Sequence, residues 1–244
     1  MKSLLAALVM ASATTSLHSE EPAPRQSSQL LEVKTTSGEK SKLSFWLALP
    51  PDAQQKPADG WPLLVFLHGA GERGDNLDQV KQHGPPKLIG KEKALDSFIV
   101  ASPQCPKGRW WDVREIRQLI DHLCESQPVD RSRIILTGLS MGGFGTWNFL
   151  AEYPDFLAAA VPICGGGKPE TADRFKHVPL HCFHGALDKV VPQSKSDEMI
   201  DALKKAGARP LYTVYPQADH DSWTATYAEP ELYKWMLAQR RPSK

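Results

Sequence analysis

The stretch Ile134-Ile135-Leu136-Thr137-Gly138-Leu139-Ser140-Met141-Gly142-Gly143 decides how this chain is read. A continuously apolar run leads into the pattern Gly-x-Ser-x-Gly, and a helical segment, Met141 to Tyr153, follows. A sharp turn from a buried strand into a helix forces the serine into a strained backbone conformation and demands small residues on either side, here Gly138 and Gly142. It lifts the Ser140 hydroxyl to the carboxyl edge of a sheet, at a helix N-terminus that favours developing negative charge.

Similar short apolar runs lie on both sides of this turn: Leu63 to Leu67, Phe98 to Ala101, Ala158 to Ile163, Val178 to Phe183 and Leu211 to Tyr215. Runs without alternation are expected of strands buried on both faces. Before them, Leu31, Val33 and Thr35 alternate with polar residues, Ser37-Gly38 marks a turn, and Leu43, Phe45, Leu47 and Leu49 alternate again, as in an antiparallel hairpin. Helical stripes fall between the strands: Val113, Ile116, Leu119, Ile120 and Leu123; then Met199, Ile200 and Leu203; then Leu232, Trp235 and Met236 after Pro230. Strands alternating with helices predict an α/β fold, a mostly parallel sheet covered on both faces, in one domain from residue 28 to 241.

A serine hydroxyl is a weak nucleophile until a base takes its proton. A nucleophile on such a turn is followed in chain order by an acid and then a histidine. Asp188 lies just past the strand ending at His184-Gly185, and His220 just past the strand ending at Tyr215. Both are loop positions at the sheet edge where Ser140 is expected. Asp197 and Asp201 are acids of the right type but fall in a helical stripe. The oxyanion of an attacked carbonyl needs donors. The Met141 backbone N–H is one. The other belongs to the loop His68-Gly69-Ala70-Gly71-Glu72-Arg73-Gly74, with Ala70 the first choice and Gly71 the alternative. Glu72 and Arg73 are either a solvated pair or a brace for that loop, and both border the expected cleft. Trp110 and Trp111 are either exposed cleft walls suited to sugars or aromatic rings, or packing against the helix that starts near Val113. His68 and His184, each before a glycine at a strand end, read as structural.

These motifs, namely Leu67 to Gly74, Gly138 to Gly143, His184-Gly185 with Asp188, and Asp219-His220-Asp221, resemble the α/β-hydrolase superfamily. Within it they look like the exported serine esterases grouped with polyhydroxybutyrate depolymerase-like, feruloyl-esterase-like and dienelactone-hydrolase-like enzymes. The resemblance implies an eight-stranded sheet, hydrolysis of carboxylic esters through an acyl-enzyme, and Ser140, Asp188 and His220 as the triad. A lid in that superfamily is commonly inserted after the sixth strand. Here the stretch Cys164 to His177 is too short and polar for a cap domain, so an open cleft is expected, favouring short or aromatic acyl groups, those on polysaccharide included.

The remaining composition narrows the field. The 244 residues carry 29 Lys+Arg against 28 Asp+Glu, without the basic excess of a nucleic-acid binder. No apolar run approaches the roughly 20 residues of a membrane span. Lys2, the run Leu4 to Met10 and Ala11-Ser12-Ala13 form a signal-peptide pattern. It is read as a signal over residues 1–18 and a flexible lead-in over 19–27, implying a secreted or periplasmic protein. Gly165-Gly166-Gly167 lacks a dinucleotide-binding context, and His181-Cys182-x-His184 spreads over both faces of a strand, so neither a cofactor nor a metal site is expected. Export makes disulfides possible, and Cys105, Cys124, Cys164 and Cys182 leave three full pairings open. Two other functions fit less well: a serine peptidase of the prolyl-oligopeptidase type, for whose propeller the chain has no room, and a non-catalytic binding protein on a hydrolase scaffold.

Overall fold

The computed structural model describes residues 25–53 and 55–242. The predicted signal and most of the lead-in lie outside the described residues. Eight strands form one sheet: β1 Ser27–Lys34, β2 Lys40–Ala48, β3 Trp61–Leu67, β4 Ile99–Pro103, β5 Val129–Leu139, β6 Ala159–Ile163, β7 His181–Gly185 and β8 Leu211–Tyr215. Their order is β1-β2-β4-β3-β5-β6-β7-β8. β2 runs antiparallel to β1 and β4, and every later pairing is parallel. The helices are α1 Gly84–Leu88, α2 Val113–Ser126, α3 Met141–Glu152, α4 Ser194–Lys205, α5 Trp223–Tyr227 and α6 Pro230–Ala238. The mostly parallel, helix-covered sheet expected from the sequence is the one found.

The two faces of β3 show how the alternation works. Leu63, Val65 and Leu67 enter one core with Ile116, Leu119 and Ile120 of α2, Phe149 and Leu150 of α3 and Met199 and Leu203 of α4. Leu64 and Phe66 enter the other with Tyr227, Leu232, Tyr233 and Met236 from α5 and α6. Successive strand residues point to opposite faces, so a strand sandwiched between helices is apolar throughout. Thr137 is the polar exception in the buried stretch of β5 from Ile134 to Leu139; its hydroxyl is satisfied by the Val161 carbonyl and the Tyr227 hydroxyl, each at 2.8 Å.

The carboxyl ends of β3, β5, β7 and β8 therefore lie along one edge. The β6–β7 junction is the thinnest pairing there, with the register pair Ile163↔Phe183 and an isolated bridge Ala160↔Leu180. The sequence predicts a strand from Val178, but β7 begins at His181. Pro179 interrupts the run, since it has no N–H to donate to a ladder. After β6, Cys164 to His177 holds one 3-10 turn, Pro169–Phe175, with Ala172 and Phe175 buried in the core beside α4. The short helices α1 and α5 carry too few turns to show a periodicity in sequence, and neither was expected.

All four cysteines are free thiols. Burial pushes Cys105 and Cys182 up to about 12, raises Cys164 further, and raises half-buried Cys124 as well. A high pKa keeps a thiol protonated and slow. Titration of the native protein with an aromatic disulfide should find at most one fast-reacting thiol, Cys124, and four after denaturation.

Asp112 caps α2, accepting from the amides of Arg114 and Glu115, and also accepts from the amide and hydroxyl of Thr36. Partial burial pushes its carboxyl up, but these hydrogen bonds outweigh it and hold the group below the usual range. A depressed folded pKa means stability that is present above the unfolded pKa and lost as pH falls through the folded one. Asp112→Ala should cost about 1–2 kcal/mol at neutral pH. In urea unfolding the gap to wild type should begin to narrow below pH of about 4 and go on narrowing as pH falls through the lower folded value.

Candidate active site

The backbone at Ser140 has φ 51° and ψ −117° between β5 and α3. This is a positive-φ conformation that L-residues rarely hold, and it persists only where the surroundings enforce it. They do so by close approach. A methyl on Gly142 would stand 1.9 Å from the Leu67 carbonyl oxygen, and one on Gly138 2.4 Å from the Gly142 carbonyl oxygen. The turn is tied to β6 by the Ser140 N–H, which donates to the Ile163 carbonyl at 3.0 Å.

Ser140, His220 and Asp188 come together across β5, β7 and β8. His220 Nε2 is 3.0 Å from Ser140 Oγ, and His220 Nδ1 is 2.7 Å from Asp188 Oδ2. The carboxylate can only accept, so Nδ1 carries the proton and the Nε2 lone pair faces the hydroxyl, the arrangement of a general base beside a nucleophile. Asp188 is buried, and its Oδ1 accepts from the amides of Val190 and Val191 at 2.9 Å each. Asp197, weighed as an alternative, instead accepts from Tyr212.

The loop after β3 lies beside Ser140: a methyl on Gly69 would stand 3.7 Å from its Cβ. Ala70 and Gly71, next in the chain, are exposed, and Met141 opens α3. His68 is buried beneath this loop. Burial lowers its pKa to about 4. It accepts from the Cys105 amide at Nε2, so its proton sits on Nδ1 and is directed at the Gly69 carbonyl, 2.6 Å away. His184 bridges the Ser196 hydroxyl and the Val191 carbonyl under the acid loop. Both histidines are structural, as expected. Cys164, Asp188 and His220 bring potential ligand atoms within 4.8 Å of one another, but Asp188 and His220 are bonded to each other and burial keeps the Cys164 thiol protonated.

At the cleft edge the structure chooses between the alternatives left open for the two tryptophans and for Glu72 and Arg73. Trp111 is not a cleft wall. It is only 8% exposed, donates to the His68 carbonyl at 3.0 Å and packs on the His68 ring. Trp110 beside it is 62% exposed and sets its ring against Phe144 at 6.0 Å. Neighbours in an extended stretch point apart, so one ring braces the loop while the other faces out. Glu72 and Arg73 do not form a solvated pair. Arg73 donates to the carbonyls of Ala70 and Arg109, bracing the loop, while Glu72 turns inward and is buried. Missed by sequence reasoning were Asp219, which accepts from the amides of His220 and Lys189 and so ties the base loop to the acid loop, and His83 and Trp223, which stand beside Glu72 and His220. Asp219 adjoins His220 in sequence; no local pattern marks His83.

Comparison with known proteins bears on this geometry. The model of the dienelactone hydrolase family matches residues 107–234, just over half of the chain. The chain belongs to that family. This family member is 29% identical over 187 residues to a bifunctional acetylxylan esterase/xylanase of Neocallimastix patriciarum, covering 71% of this chain and 26% of the relative. It is 45% identical over 122 residues to poly(3-hydroxyalkanoate) depolymerase C of Paucimonas lemoignei, covering 43% of this chain and 28% of the relative. The chain thus spans about a quarter of the length of these two relatives. Among solved structures, a thermostable esterase superposes with a TM-score of 0.78 at 30% identity, covering 88% of this chain and 63% of that one. The fold is that of the α/β-hydrolases.

The contact of Gly142 with the Leu67 carbonyl gives a direct test. Gly142→Ala forces the α3 backbone off β3, and overpacking against backbone is not relieved by side-chain rotation. It should lower stability by about 3 kcal/mol or more in denaturant unfolding, whereas Gly71→Ala, with open space around it, should change it by less than about 1 kcal/mol.

Proposed function

We propose that this protein is a serine carboxylesterase with Ser140 as nucleophile, His220 as general acid–base and Asp188 as its orienting acid. The observation that carries the reading is the unbroken chain Ser140 Oγ, His220 Nε2, His220 Nδ1, Asp188 Oδ2, with links of 3.0 and 2.7 Å. On this reading His220 takes the Ser140 proton as Oγ attacks the ester carbonyl. The tetrahedral oxyanion is received by the N–H groups of Met141 and Ala70, with Gly71 the alternative to Ala70. The His220 proton passes to the departing alcohol, leaving an acyl-enzyme, and water then repeats the sequence to free the acid and Ser140. His220 and Asp188 leave no step to a metal or cofactor.

The substrate side rests on less of the chain. Exposed Ala70, Gly71 and Trp110 around half-buried Ser140 support an open cleft, and the Trp110–Phe144 pair supports an aromatic or polymer-attached ester. The relatives named for acetylxylan and polyhydroxyalkanoate agree with an ester on a polymer. Deacylation of polysaccharide is the specific case we favour. Residues 28–241 would be the catalytic domain, and the signal-like N-terminus supports export; among the described residues no helix is long and apolar enough to cross a membrane.

Ser140→Ala should reduce ester turnover by about 10⁴-fold or more with unchanged unfolding, and a phosphonofluoridate should label wild type and not the variant. Wild-type rate in Ser140→Ala overturns the assignment. Across aryl esters, kcat/KM should fall from two-carbon to sixteen-carbon acyl chains, because an open cleft buries little of a long alkyl group. A steady rise overturns the open-cleft reading. A parallel peptide anilide panel separates esterase from peptidase.

A further inference from the structure

Glu72 is the residue of the site whose chemistry the mechanism leaves unused. It is 7% exposed, and its Oε2 is fully buried with no hydrogen-bond partner. A buried carboxylate oxygen without a hydrogen bond is costly; the nearest donor, His68 Nδ1, stands 3.7 Å away and is directed at the Gly69 carbonyl, so the charge is left to its other oxygen to stabilise. Its place is specific: a methyl on Gly69 would lie 3.3 Å from Glu72 Oε2 and 3.7 Å from Ser140 Cβ, so the carboxylate and the nucleophile flank one glycine.

On its other side, Glu72 Oε1 is 3.8 Å from His83 Nε2. Trp223 Nε1, which can only donate, bonds His83 Nδ1 at 3.3 Å. The proton of neutral His83 is therefore on Nε2, facing Glu72. The 3.8 Å gap is too long for a hydrogen bond between the two. A single hydroxyl seated to one side of the pair can bridge it, accepting from His83 Nε2–H and donating to the carboxylate, both at ordinary lengths of about 2.7–2.9 Å. A hydroxyl, being both donor and acceptor, satisfies this pair. The His83 side chain is 30% exposed, so the gap can be reached from the surface. Trp223 is half-buried and sets its ring against both His83, at 5.5 Å, and His220, at 5.2 Å. His220 is the group that delivers a proton to the departing alcohol, so this wall borders the alcohol side of the scissile bond.

We propose that Glu72, His83 and Trp223 form a subsite that recognises a free hydroxyl on the alcohol part of the substrate, beside the ester, so that esters of polyhydroxy alcohols are preferred over those of simple alcohols. The proposal rests on the esterase reading above and adds to it a recognition element. A site built to hydrogen-bond a hydroxyl discriminates strongly against the analogue without it, because the buried polar groups are left unpaired.

The test compares kcat/KM for trans-2-hydroxycyclohexyl acetate and cyclohexyl acetate, each divided by that ester's rate with hydroxide to remove intrinsic reactivity. Wild type should favour the hydroxy ester by about tenfold or more. His83→Phe and Glu72→Gln should each cut that ratio at least about fivefold; both esters meet the same nucleophile, so a general loss of activity cancels. If His83→Phe does not fold, Glu72→Gln decides. A wild-type ratio near one, or a ratio unchanged in the folded variants, overturns the proposal. If wild type turns over neither ester and is not labelled by phosphonofluoridate, the esterase reading fails instead. The subsite is then decided by binding: methyl β-xylopyranoside should change the tryptophan fluorescence of Ser140→Ala saturably, and that change should be lost in Ser140→Ala/His83→Phe. No saturable change, or one that survives in the double variant, overturns the proposal on its own.

Discussion

The contact of Gly142 with the Leu67 carbonyl is the constraint on which the site depends. It lets α3 start directly against the end of β3, and that start is what holds Ser140 at φ 51°. The same approach puts the loop after β3 beside Ser140, with Gly69 near its Cβ. One backbone contact thus sets both the serine and the loop expected to supply the second oxyanion donor. The buried strands below it, apolar on both faces, form the rigid support that a strained turn needs.

Asp188 and His220 are placed by a different means. Asp188 and His220 stand on loops, and loops hold geometry only when their polar groups are tied down. Val190 and Val191 amides hold one oxygen of Asp188, and the Asp219 carboxylate ties the amides of Lys189 and His220. Gly185 permits this crossing: a methyl there would lie 2.2 Å from the Asp219 carbonyl. His68 and Trp111 do comparable work under the loop after β3.

How much of this could be read from sequence follows from the range of each signal. The elbow, the doubly buried strands and the order serine, acid, histidine are local patterns in one dimension, and they led to the sheet and to the three residues that meet. The orientation of Trp111 against Trp110 is decided by which ring finds the His68 carbonyl, a partner far away in the chain. The inward turn of Glu72 and the standing of His83 beside it arise from contacts between separate loops, for which a single sequence carries no periodicity. The late start of β7 was legible in Pro179 and was overridden by the apolar run around it.

The thin β6–β7 junction divides the triad. Ser140 belongs to the strands on one side of it, while Asp188 and His220 follow β7 and β8 on the other, joined across by the pair Ile163↔Phe183 and the bridge Ala160↔Leu180. Proteins open along their least-bonded boundaries at a free energy below that of global unfolding. A fluctuation that parts this seam would separate His220 from Ser140 without parting the other strand pairs. The alignment of these residues is in this sense a joint within one chain, held by the contacts across the seam, the amide of Cys164 on the Phe183 carbonyl and that of Ala160 on the Pro179 carbonyl among them, as well as by the depth of the core.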